Sequence, residues 1–309
     1  MSKLGFLYPG QGAQEAGMAA DFYEKSPEAR RVFDEASALL ELDLRKLCFE
    51  KNNLLDKTEY TQAAMVTACL AITREVEKRG LYPDMTAGLS LGEYCAIGAA
   101  GGLSDMDAVR TVRARGIFME NAAPEGTGAM AAVLGLDGAA VENVIQKLEG
   151  VFVANYNCPG QIVITGQKEA VEQAGPVLKG AGARKVLPLK VSGPFHSPMM
   201  NQAGEKLAKV LKEVQISPLS IPYVTNVTGE TVGNSEKIRE LLVQQVSSSV
   251  RWEQSMRTMI AEGVDTFVEM GPGKTLSSFM KKIDKNVNIY RISTWEEADS
   301  VCRELLKED

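Results

Sequence analysis

One Gly-x-Ser-x-Gly pentapeptide, GLSLG at residues 88–92, constrains the fold of this chain more than any other feature. The apolar residues 85–89 are typical of a strand, and the residues that follow Ser90 are compatible with a helix. Small residues on both sides of a serine let the backbone make the sharp turn that exposes its hydroxyl. The pentapeptide therefore predicts a strand, turn and helix of an α/β fold, with Ser90 as a candidate nucleophile. Without that placement, it would more often be only a glycine-containing strand end.

The chain holds a single histidine, His196, in a segment where Gly193, Pro194 and Pro198 indicate a rigid loop. A serine hydroxyl is a weak nucleophile at neutral pH until a base takes its proton, and neutral imidazole is well suited to that task. A lone histidine is usually a surface or packing residue, so His196 alone is weak evidence. Together, Ser90 and His196 predict a serine acyl enzyme if the fold brings the two side chains together.

Composition and charge exclude several classes of function. The 309 residues are 45% hydrophobic and 24% charged, with a formal net charge of -6 and no block of five or more like charges. This argues against nucleic acid or an anionic membrane as a partner. No apolar run approaches a membrane span, and residues 4–8 form too short a run, ended by Pro9, for a signal peptide.

The cysteines also bear on the class of protein. Five scattered cysteines form no CxxC pair, so neither a metal site nor a disulfide framework is expected, and the chain is predicted to need no cofactor. A reducing cytoplasm suits such a chain. The cysteines are Cys48, Cys69, Cys95, Cys158 and Cys302.

Alternating apolar strands and helices predict one large α/β domain interrupted by a small insertion. Ser26 and Ser104 are expected to cap helices, and the elements before the insertion are strand 4–8 and helices 27–40, 61–79 and 104–121. The elements after it are helix 197–214, strand 221–227, helices 235–246 and 252–262, strand 264–269, helix 274–282 and strand 287–292.

The insertion has its own order of elements, a βαββαβ pattern that is typical of a ferredoxin-like unit. Its predicted elements are strand 130–136, helix 138–148, strands 151–156 and 161–165, helix 167–181 and strand 184–189. We therefore expect an α/β-hydrolase-like domain with a parallel sheet, formed by residues 1–124 and 193–309, and a ferredoxin-like subdomain formed by residues 125–192.

Arg115 shares the apolar face of its predicted helix with Ala108, Val112 and Met119. A buried guanidinium that finds no anion is costly, and it cannot lose its proton. Two interpretations are open at this point. Arg115 forms a structural salt bridge with an Asp or Glu, or it clamps the carboxylate of a substrate.

Two glycine-rich segments have some features of nucleotide-binding loops, and we reject both. The segment at residues 9–12 lacks the third glycine of a dinucleotide motif, because Glu15 stands there. The segment at 271–275 lacks the first glycine of a phosphate loop. The position after the first strand suits the backbone amide of Gln11 better as an oxyanion donor, with that of Leu91 as the second.

Seven short motifs stand in a fixed order along the chain: YPGQG at 8–12, YTQ at 60–62, GLSLGEY at 88–94, RGIFM at 115–119, NYNCPGQ at 155–161, FHS at 195–197 and EMGPG at 269–273. In these motifs the chain resembles the malonyl-CoA:acyl carrier protein transacylases over nearly its whole length, and it resembles the free-standing enzymes of bacterial fatty-acid synthesis. The resemblance implies transfer of a malonyl group from malonyl-CoA to the phosphopantetheine thiol of acyl carrier protein, through a malonyl-serine intermediate.

The resemblance also implies roles for individual residues. Ser90 would be the nucleophile and His196 its base, in a dyad that has no aspartate. Arg115 would clamp the malonyl carboxylate. The backbone amides of Gln11 and Leu91 would be the oxyanion donors.

Further pocket residues follow from the same resemblance. Gln62, Asn155 and Asn157 would line the pocket, and Phe195 is similar to the residue in malonyl-selective members, whereas methylmalonyl-selective relatives carry a smaller residue there. Arg251 aligns with a family glutamine whose backbone carbonyl orients the catalytic histidine, and that role is expected to survive because every residue has a carbonyl.

Leu89 departs from the family pattern, because many members have histidine before the nucleophile. Two alternative functions stay open. A serine esterase or thioesterase would deliver the acyl group to water, and a catalytically silent module would only hold the carrier protein. Because carrier proteins are acidic, a docking surface is predicted among Lys179, Arg184, Lys185, Lys190, Lys281, Lys282 and Lys285.

Overall fold

Ten strands form two separate sheets in the computed structural model, which describes residues 2–124, 126–190 and 193–307. The predicted ends of the insertion, residues 125 and 192, lie outside the described residues. The strands are β1 Lys3–Tyr8, β2 Met85–Gly88, β3 Gly128–Leu134, β4 Val151–Cys158, β5 Gln161–Gln167, β6 Lys185–Pro188, β7 Tyr223–Val224, β8 Thr231–Val232, β9 Val264–Met270 and β10 Asn288–Ile292.

Thirteen helices pack around these sheets in the described part of the chain, and none of them is long and apolar enough to cross a membrane. They are α1 Ala20–Lys25, α2 Pro27–Leu40, α3 Leu44–Phe49, α4 Thr58–Lys78, α5 Gly92–Ala99, α6 Asp105–Glu120, α7 Gly138–Ile145, α8 Lys168–Gly180, α9 Asn201–Lys212, α10 Ile238–Gln245, α11 Trp252–Ala261, α12 Thr275–Ile283 and α13 Trp295–Leu305.

The larger sheet has the strand order β10-β9-β1-β2-β7-β8 and is parallel except for its last pair. Its central strand β1 is buried on both faces, where Phe6 and Leu7 join two different apolar cores. Neighbouring parallel strands end at the same edge of a sheet, and here Tyr8 pairs with Gly88. The loop after β1 and the turn after β2 therefore lie side by side.

The smaller sheet is antiparallel, with the strand order β4-β5-β3-β6. It has its own apolar core, in which Val133 and Ile164 of the strands pack with Val141 of α7 and Leu178 of α8. The predicted βαββαβ order of elements is confirmed. The fold is thus mixed α/β, with a mainly parallel sheet and a separate antiparallel sheet.

Strand β4 joins the smaller sheet to the larger part of the molecule. The amide of Tyr156 donates a hydrogen bond to the carbonyl of Val250 at 2.9 Å, and the amide of Val250 donates one to the carbonyl of Ala154 at 2.7 Å. Oγ of Ser249 donates to the carbonyl of Val153 at 2.6 Å. These bonds fix β4 beside the segment that follows α10, and they bring residues of the insertion next to the edge of the parallel sheet.

Two predicted helix starts are confirmed by side-chain caps. Oγ of Ser26 accepts a hydrogen bond from the amide of Ala29 at 3.1 Å, and Oγ of Ser104 accepts one from the amide of Asp107 at 3.0 Å. Both serines thereby satisfy amides in the first turn that have no partner within the helix.

Other predicted boundaries are wrong. The predicted strand 221–227 shrinks to the two residues of β7, because the backbone amide of Asn226 bonds to a side chain instead of a neighbouring strand. The predicted helix 197–214 begins as a 3₁₀ turn at Pro198–Met200, and α9 starts only at Asn201.

Candidate active site

Ser90 stands at the turn between β2 and α5 with a backbone φ of 54°. A positive φ is strained for a residue that has a Cβ atom, so the surroundings must hold this turn. A Cβ atom on Gly88 would lie 2.0 Å from the backbone of Gly92, and one on Gly92 would lie 2.3 Å from the carbonyl oxygen of Tyr8. Both glycines of the pentapeptide are therefore required by close backbone contacts.

Asn226 holds the turn, and sequence reasoning missed it. Its Oδ1 accepts a hydrogen bond from the amide of Ser90 at 2.6 Å, and its Nδ2 donates one to the carbonyl of Gly88 at 2.7 Å. The Asn226 side chain is fully buried. One side-chain amide thus fixes the backbone both at the nucleophile and two residues before it.

His196 reaches Ser90 across the cavity floor, with its Nε2 2.8 Å from Oγ of the serine. Its Nδ1 lies 3.0 Å from the carbonyl oxygen of Gln245 and 3.1 Å from that of Ser248. A carbonyl oxygen only accepts hydrogen bonds, so Nδ1 carries the proton. Nε2 is then free to accept the proton of the serine hydroxyl.

The backbone carbonyl of Arg251 does not orient the histidine, and that prediction is wrong. It accepts hydrogen bonds from the amide of Ser255 at 2.9 Å and from its hydroxyl at 2.8 Å, in the first turn of α11. The carbonyls of Gln245 and Ser248 lie against Nδ1 instead. Every residue has a main-chain carbonyl, so residue type could not show which position orients the histidine.

Burial lowers the pKa of His196 to about 4, and the positive charge of Arg115 adds to this effect. The imidazole is therefore neutral at neutral pH. A neutral imidazole with a free Nε2 is the form that a general base requires.

Arg115 is almost completely buried, with 1% of its surface exposed. Its Nη1 donates to Oε1 of Gln62 at 2.7 Å, and its Nη2 donates to Oε1 of Gln245 at 3.0 Å and to Oγ of Ser90 at 3.1 Å. Its Nε has no partner within the described residues. No Asp or Glu oxygen of the described residues forms a salt bridge with Arg115, which removes the interpretation as a structural ion pair.

The predicted helix face is confirmed, because Ala108, Val112 and Met119 are buried beside Arg115 on α6. The helix therefore carries a permanent charge into an apolar interior. Its hydrogen-bond acceptors within the described residues are all neutral oxygens, and its Cζ lies 5.8 Å from the centre of the Tyr94 ring.

A cavity of about 480 Å³ opens over Ser90, His196 and Arg115. Every other predicted site residue except Arg251 also lines it: Gln11, Gln62, Leu91, Asn155, Asn157 and Phe195. Both sheets contribute to its wall, since Met130 and Val163 belong to the antiparallel sheet. The fold thus brings side chains that are far apart in the sequence to one cleft.

Comparison with known proteins assigns the chain to a family. The chain matches the acyl transferase domain over residues 5–295. It is 46% identical to the malonyl CoA-acyl carrier protein transacylase of Bacillus subtilis, over all of this chain and 99% of the relative. The chain belongs to the malonyl CoA-acyl carrier protein transacylase family.

Solved structures of family members have the same fold. The transacylase of Clostridium perfringens is 41% identical and superimposes with a TM-score of 0.95, covering 99% of this chain and 98% of that one. A malonyl-transacylase in complex with a type II PKS acyl-carrier protein is 38% identical, with a TM-score of 0.93 over 98% of this chain and all of that one.

Gln245 is the second site residue that sequence reasoning missed in this transacylase family member. Its Nε2 donates to the carbonyl of Ser90 at 2.9 Å and to Oε2 of Glu93 at 2.6 Å, while its Oε1 accepts from Arg115. Its backbone carbonyl accepts from Nδ1 of His196. A single glutamine therefore contacts the nucleophile, the base and the buried cation, and no spacing rule would single it out.

The segment that ends like a phosphate loop has another use in this family member. The carboxylate of Glu269 accepts hydrogen bonds from the amides of Leu276 and Ser277 at 3.0 and 2.8 Å, at the start of α12. A buried carboxylate thus takes the amides that a phosphate would need. These two amides are therefore occupied by a side chain of the chain itself.

Proposed function

We propose that this chain transfers the malonyl group of malonyl-CoA to the phosphopantetheine thiol of an acyl carrier protein, by a ping-pong mechanism through malonyl-Ser90. The observation that carries the proposal is the buried guanidinium of Arg115, which has no carboxylate hydrogen-bond partner in the described residues and donates to Oγ of Ser90 at 3.1 Å. An acyl group that ends in a carboxylate supplies an anion that can contact the guanidinium directly. The named activities of the relatives support this assignment.

The first half-reaction uses the dyad. His196 Nε2 takes the proton of Ser90 as Oγ attacks the thioester carbon, and the backbone amides of Leu91 and Gln11 would receive the developing oxyanion. When the intermediate collapses, the C–S bond breaks and the imidazolium returns the proton to the sulfur of coenzyme A. In the second half-reaction the carrier-protein thiol gives its proton to His196 and attacks the malonyl-serine ester. The C–Oγ bond then breaks and the imidazolium returns the proton to Oγ, which regenerates Ser90 and the neutral base.

Selectivity for malonyl groups follows from the short distance between Oγ of Ser90 and the guanidinium of Arg115. The carboxylate of a malonyl ester lies two carbons from Oγ of Ser90, and Nη2 of Arg115 donates to that same oxygen. The guanidinium is held by Gln62 and Gln245, so it is pre-organised for a bidentate contact. An acetyl group would leave the buried charge without a partner. Phe195, Asn155 and Asn157 would complete the walls around the acyl group.

We also infer that the two sheets belong to a ferredoxin-like subdomain and an α/β-hydrolase-like domain. The sheet order of the insertion, with its four strands in the spatial order 4-1-3-2, supports a ferredoxin-like subdomain formed by residues 125–192. The turn at Ser90 between a parallel strand and a helix supports an α/β-hydrolase-like domain formed by residues 1–124 and 193–309. The five free, buried cysteines are compatible with a cytoplasmic location.

The carrier protein is proposed to dock at the cavity mouth. Nζ of Lys282 donates a hydrogen bond to Oε1 of Gln161 at 3.5 Å. Gln161 of β5 and Lys185 of β6 both pair with Leu134 of β3, one on each side of it. These residues line one end of the antiparallel sheet, while Lys190 lines the cavity itself. All seven predicted basic residues are exposed: Lys179, Arg184, Lys185, Lys190, Lys281, Lys282 and Lys285.

Intact-mass spectrometry tests this function. The chain is mixed with malonyl-CoA, and Ser90→Ala serves as the control. We expect a mass gain of one malonyl group that disappears when holo carrier protein is added and that Ser90→Ala does not acquire. Rapid loss of the adduct in water alone would support the thioesterase alternative. No adduct on the wild type, with carrier protein still bound, would support the silent docking module.

A further inference from the structure

Glu93 is a completely buried carboxylate one turn after the nucleophile, and the proposed reaction does not use it. Its Oε2 accepts hydrogen bonds from Nε2 of Gln245 at 2.6 Å and from the amide of Asn226 at 3.1 Å. Its Oε1 has no hydrogen-bond partner within the described residues. A buried charge needs compensation, so its partner must be sought nearby.

The side-chain amide of Gln245 connects this carboxylate to Arg115. Its Nε2 faces Glu93, and its Oε1 accepts from Nη2 of Arg115 at 3.0 Å. The amide is thereby oriented with its donor towards the anion and its acceptor towards the cation. Glu93 and Arg115 are thus opposite charges separated by one amide group.

Few other ionisable groups face Glu93. Tyr94 comes from its own helix, Tyr223 from β7 and Arg115 from α6. The neutral neighbours are Gln245 from α10 and Thr225 and Asn226 from the loop after β7. Burial raises the pKa of both tyrosines above its ordinary value, so both are neutral near neutral pH. Arg115 is therefore the only positive charge among these neighbours.

We propose that Glu93 is a specificity-determining residue that competes with the carboxylate of the substrate for the charge of Arg115. The inference rests on the proposed function, in which a malonyl carboxylate binds Arg115. In the empty site, ionised Glu93 balances the buried cation through Gln245. When the substrate carboxylate arrives, two anions share one cation, so binding is weaker while Glu93 is ionised and tighter once it is protonated.

The geometry predicts a direction for the pH dependence of selectivity. Burial raises the pKa of Glu93 to about 7, against the lowering effect of the hydrogen bond from Gln245. Above that pH Glu93 is ionised and competes; below it Glu93 is neutral and does not. The preference for malonyl over acetyl substrates should therefore fall as the pH rises.

The experiment measures kcat/KM for acylation of Ser90 by malonyl-CoA and by acetyl-CoA from about pH 5.5 to about pH 8.5. The ratio of the two values cancels the titration of coenzyme A, which both substrates carry. For the wild type we expect the ratio to fall at least about fivefold across this range, through a higher KM for malonyl-CoA at high pH. In Glu93→Gln, which keeps an acceptor for Gln245, the ratio should be high and independent of pH.

Glu75→Gln is the matched control. Glu75 is a buried carboxylate that pairs with Arg79, and it lies on α4 at about 20 Å along the helix from Gln62. We expect this variant to keep the pH dependence of the wild type.

Two results would overturn the inference. One is a ratio of kcat/KM for malonyl-CoA to that for acetyl-CoA that does not change with pH in the wild type. This result excludes the inference even if Glu93→Gln fails to fold. The other is a Glu93→Gln variant that loses malonyl and acetyl transfer equally and keeps the wild-type pH dependence of the ratio, as a purely structural role would give. Failure of the proposed function itself looks different, because the wild type would then form no malonyl-Ser90 at any pH.

Discussion

Oδ1 of Asn226 lies 2.6 Å from the backbone nitrogen of Ser90 and accepts its hydrogen bond. The amide of the nucleophile is therefore occupied and cannot stabilise an oxyanion. The donors proposed for that role, the amides of Leu91 and Gln11, belong to the two loops that β1 and β2 bring side by side. The amide of Ser90 thus holds the turn, whereas the amides of Leu91 and Gln11 would serve the reaction.

Replacing Asn226 by alanine should lower both stability and activity. The change leaves the amide of Ser90 and the carbonyl of Gly88 without partners, and each unsatisfied buried group costs about 1 to 3 kcal/mol. We expect the free energy of unfolding to fall by about 2 to 4 kcal/mol, since some relaxation follows. Urea unfolding measures this. Asn234→Ala, a substitution of an exposed asparagine, is the control. Equal, small losses in both variants would contradict the role of Asn226.

Replacing Arg115 by alanine should remove the preference for malonyl groups. A site built to satisfy a charge discriminates by about 2 to 4 kcal/mol, or roughly 30- to 1000-fold. We expect kcat/KM for malonyl-CoA to fall by about that factor and the value for acetyl-CoA to change far less. Arg113→Ala is a suitable control, because Arg113 lies on the same helix and pairs with Glu59 outside the site. Equal losses with both substrates would exclude the clamp.

The single histidine makes the electrostatics directly measurable. His196 gives the one histidine Hε1 resonance of the chain, so an NMR titration reports its pKa without assignment by mutation. The wild type should titrate near pH 4. Arg115→Ala should raise the pKa, because it removes a positive charge that disfavours the imidazolium. A midpoint near the ordinary value of about 6.5 in the wild type would show that the ring is not buried in solution.

Much of the site could be predicted because its chemistry requires particular residue types. A lone histidine, a serine between glycines and an arginine on an apolar helix face each stand out in a sequence, and Ser90, His196 and Arg115 do meet in the structure. Asn226 and Gln245 could not be found in this way. Their amides act through contacts far apart in the chain, and asparagine and glutamine occur at many surface positions for no such reason.

The elements of the fold differ in the same way, because local sequence determines some of them and distant contacts determine others. Helices with a cap and a long apolar face, such as α2 and α6, are readable from the sequence. The helices α1 and α3 have six residues each, which is too short for a periodic pattern, and the prediction omits them. It also omits α13, which is long enough to be read. Strand β8 has two residues and depends on its pairing with β7.

Charge reversal at the proposed docking surface should weaken the second half-reaction alone. The double variant Lys185→Glu and Lys282→Glu places negative charges along the end of the antiparallel sheet, where an acidic carrier protein would be repelled. We expect the KM for carrier protein to rise by about tenfold or more at low salt, with a smaller effect at high salt. Formation of malonyl-Ser90 should be unchanged. An unaltered KM for carrier protein would discard this surface.

His196 and Glu93 should affect stability in opposite directions over the same range of pH. The folded pKa of His196 is about 4, below its ordinary 6.5, so the unfolded chain binds more protons between these values and His196 destabilises the fold as the pH falls. The folded pKa of Glu93 is about 7, above its ordinary 4.5, so its contribution is present at low pH and is lost as the pH rises. Each contribution changes by about 2 to 3 kcal/mol between about pH 4.5 and pH 6.5, and the two nearly cancel in the wild type.

Single variants should reveal the two slopes. Relative to the wild type, Glu93→Gln keeps only the histidine contribution, so its stability should rise from about pH 4.5 to about pH 6.5. His196→Asn keeps only the Glu93 contribution, so its stability should fall over the same range. Urea unfolding of the three proteins at matched pH values measures both differences, and the titrations that all three share cancel. Parallel curves would mean that neither group is held in the folded state by the burial seen here, because a pKa that is the same in both states gives no linkage between protonation and folding.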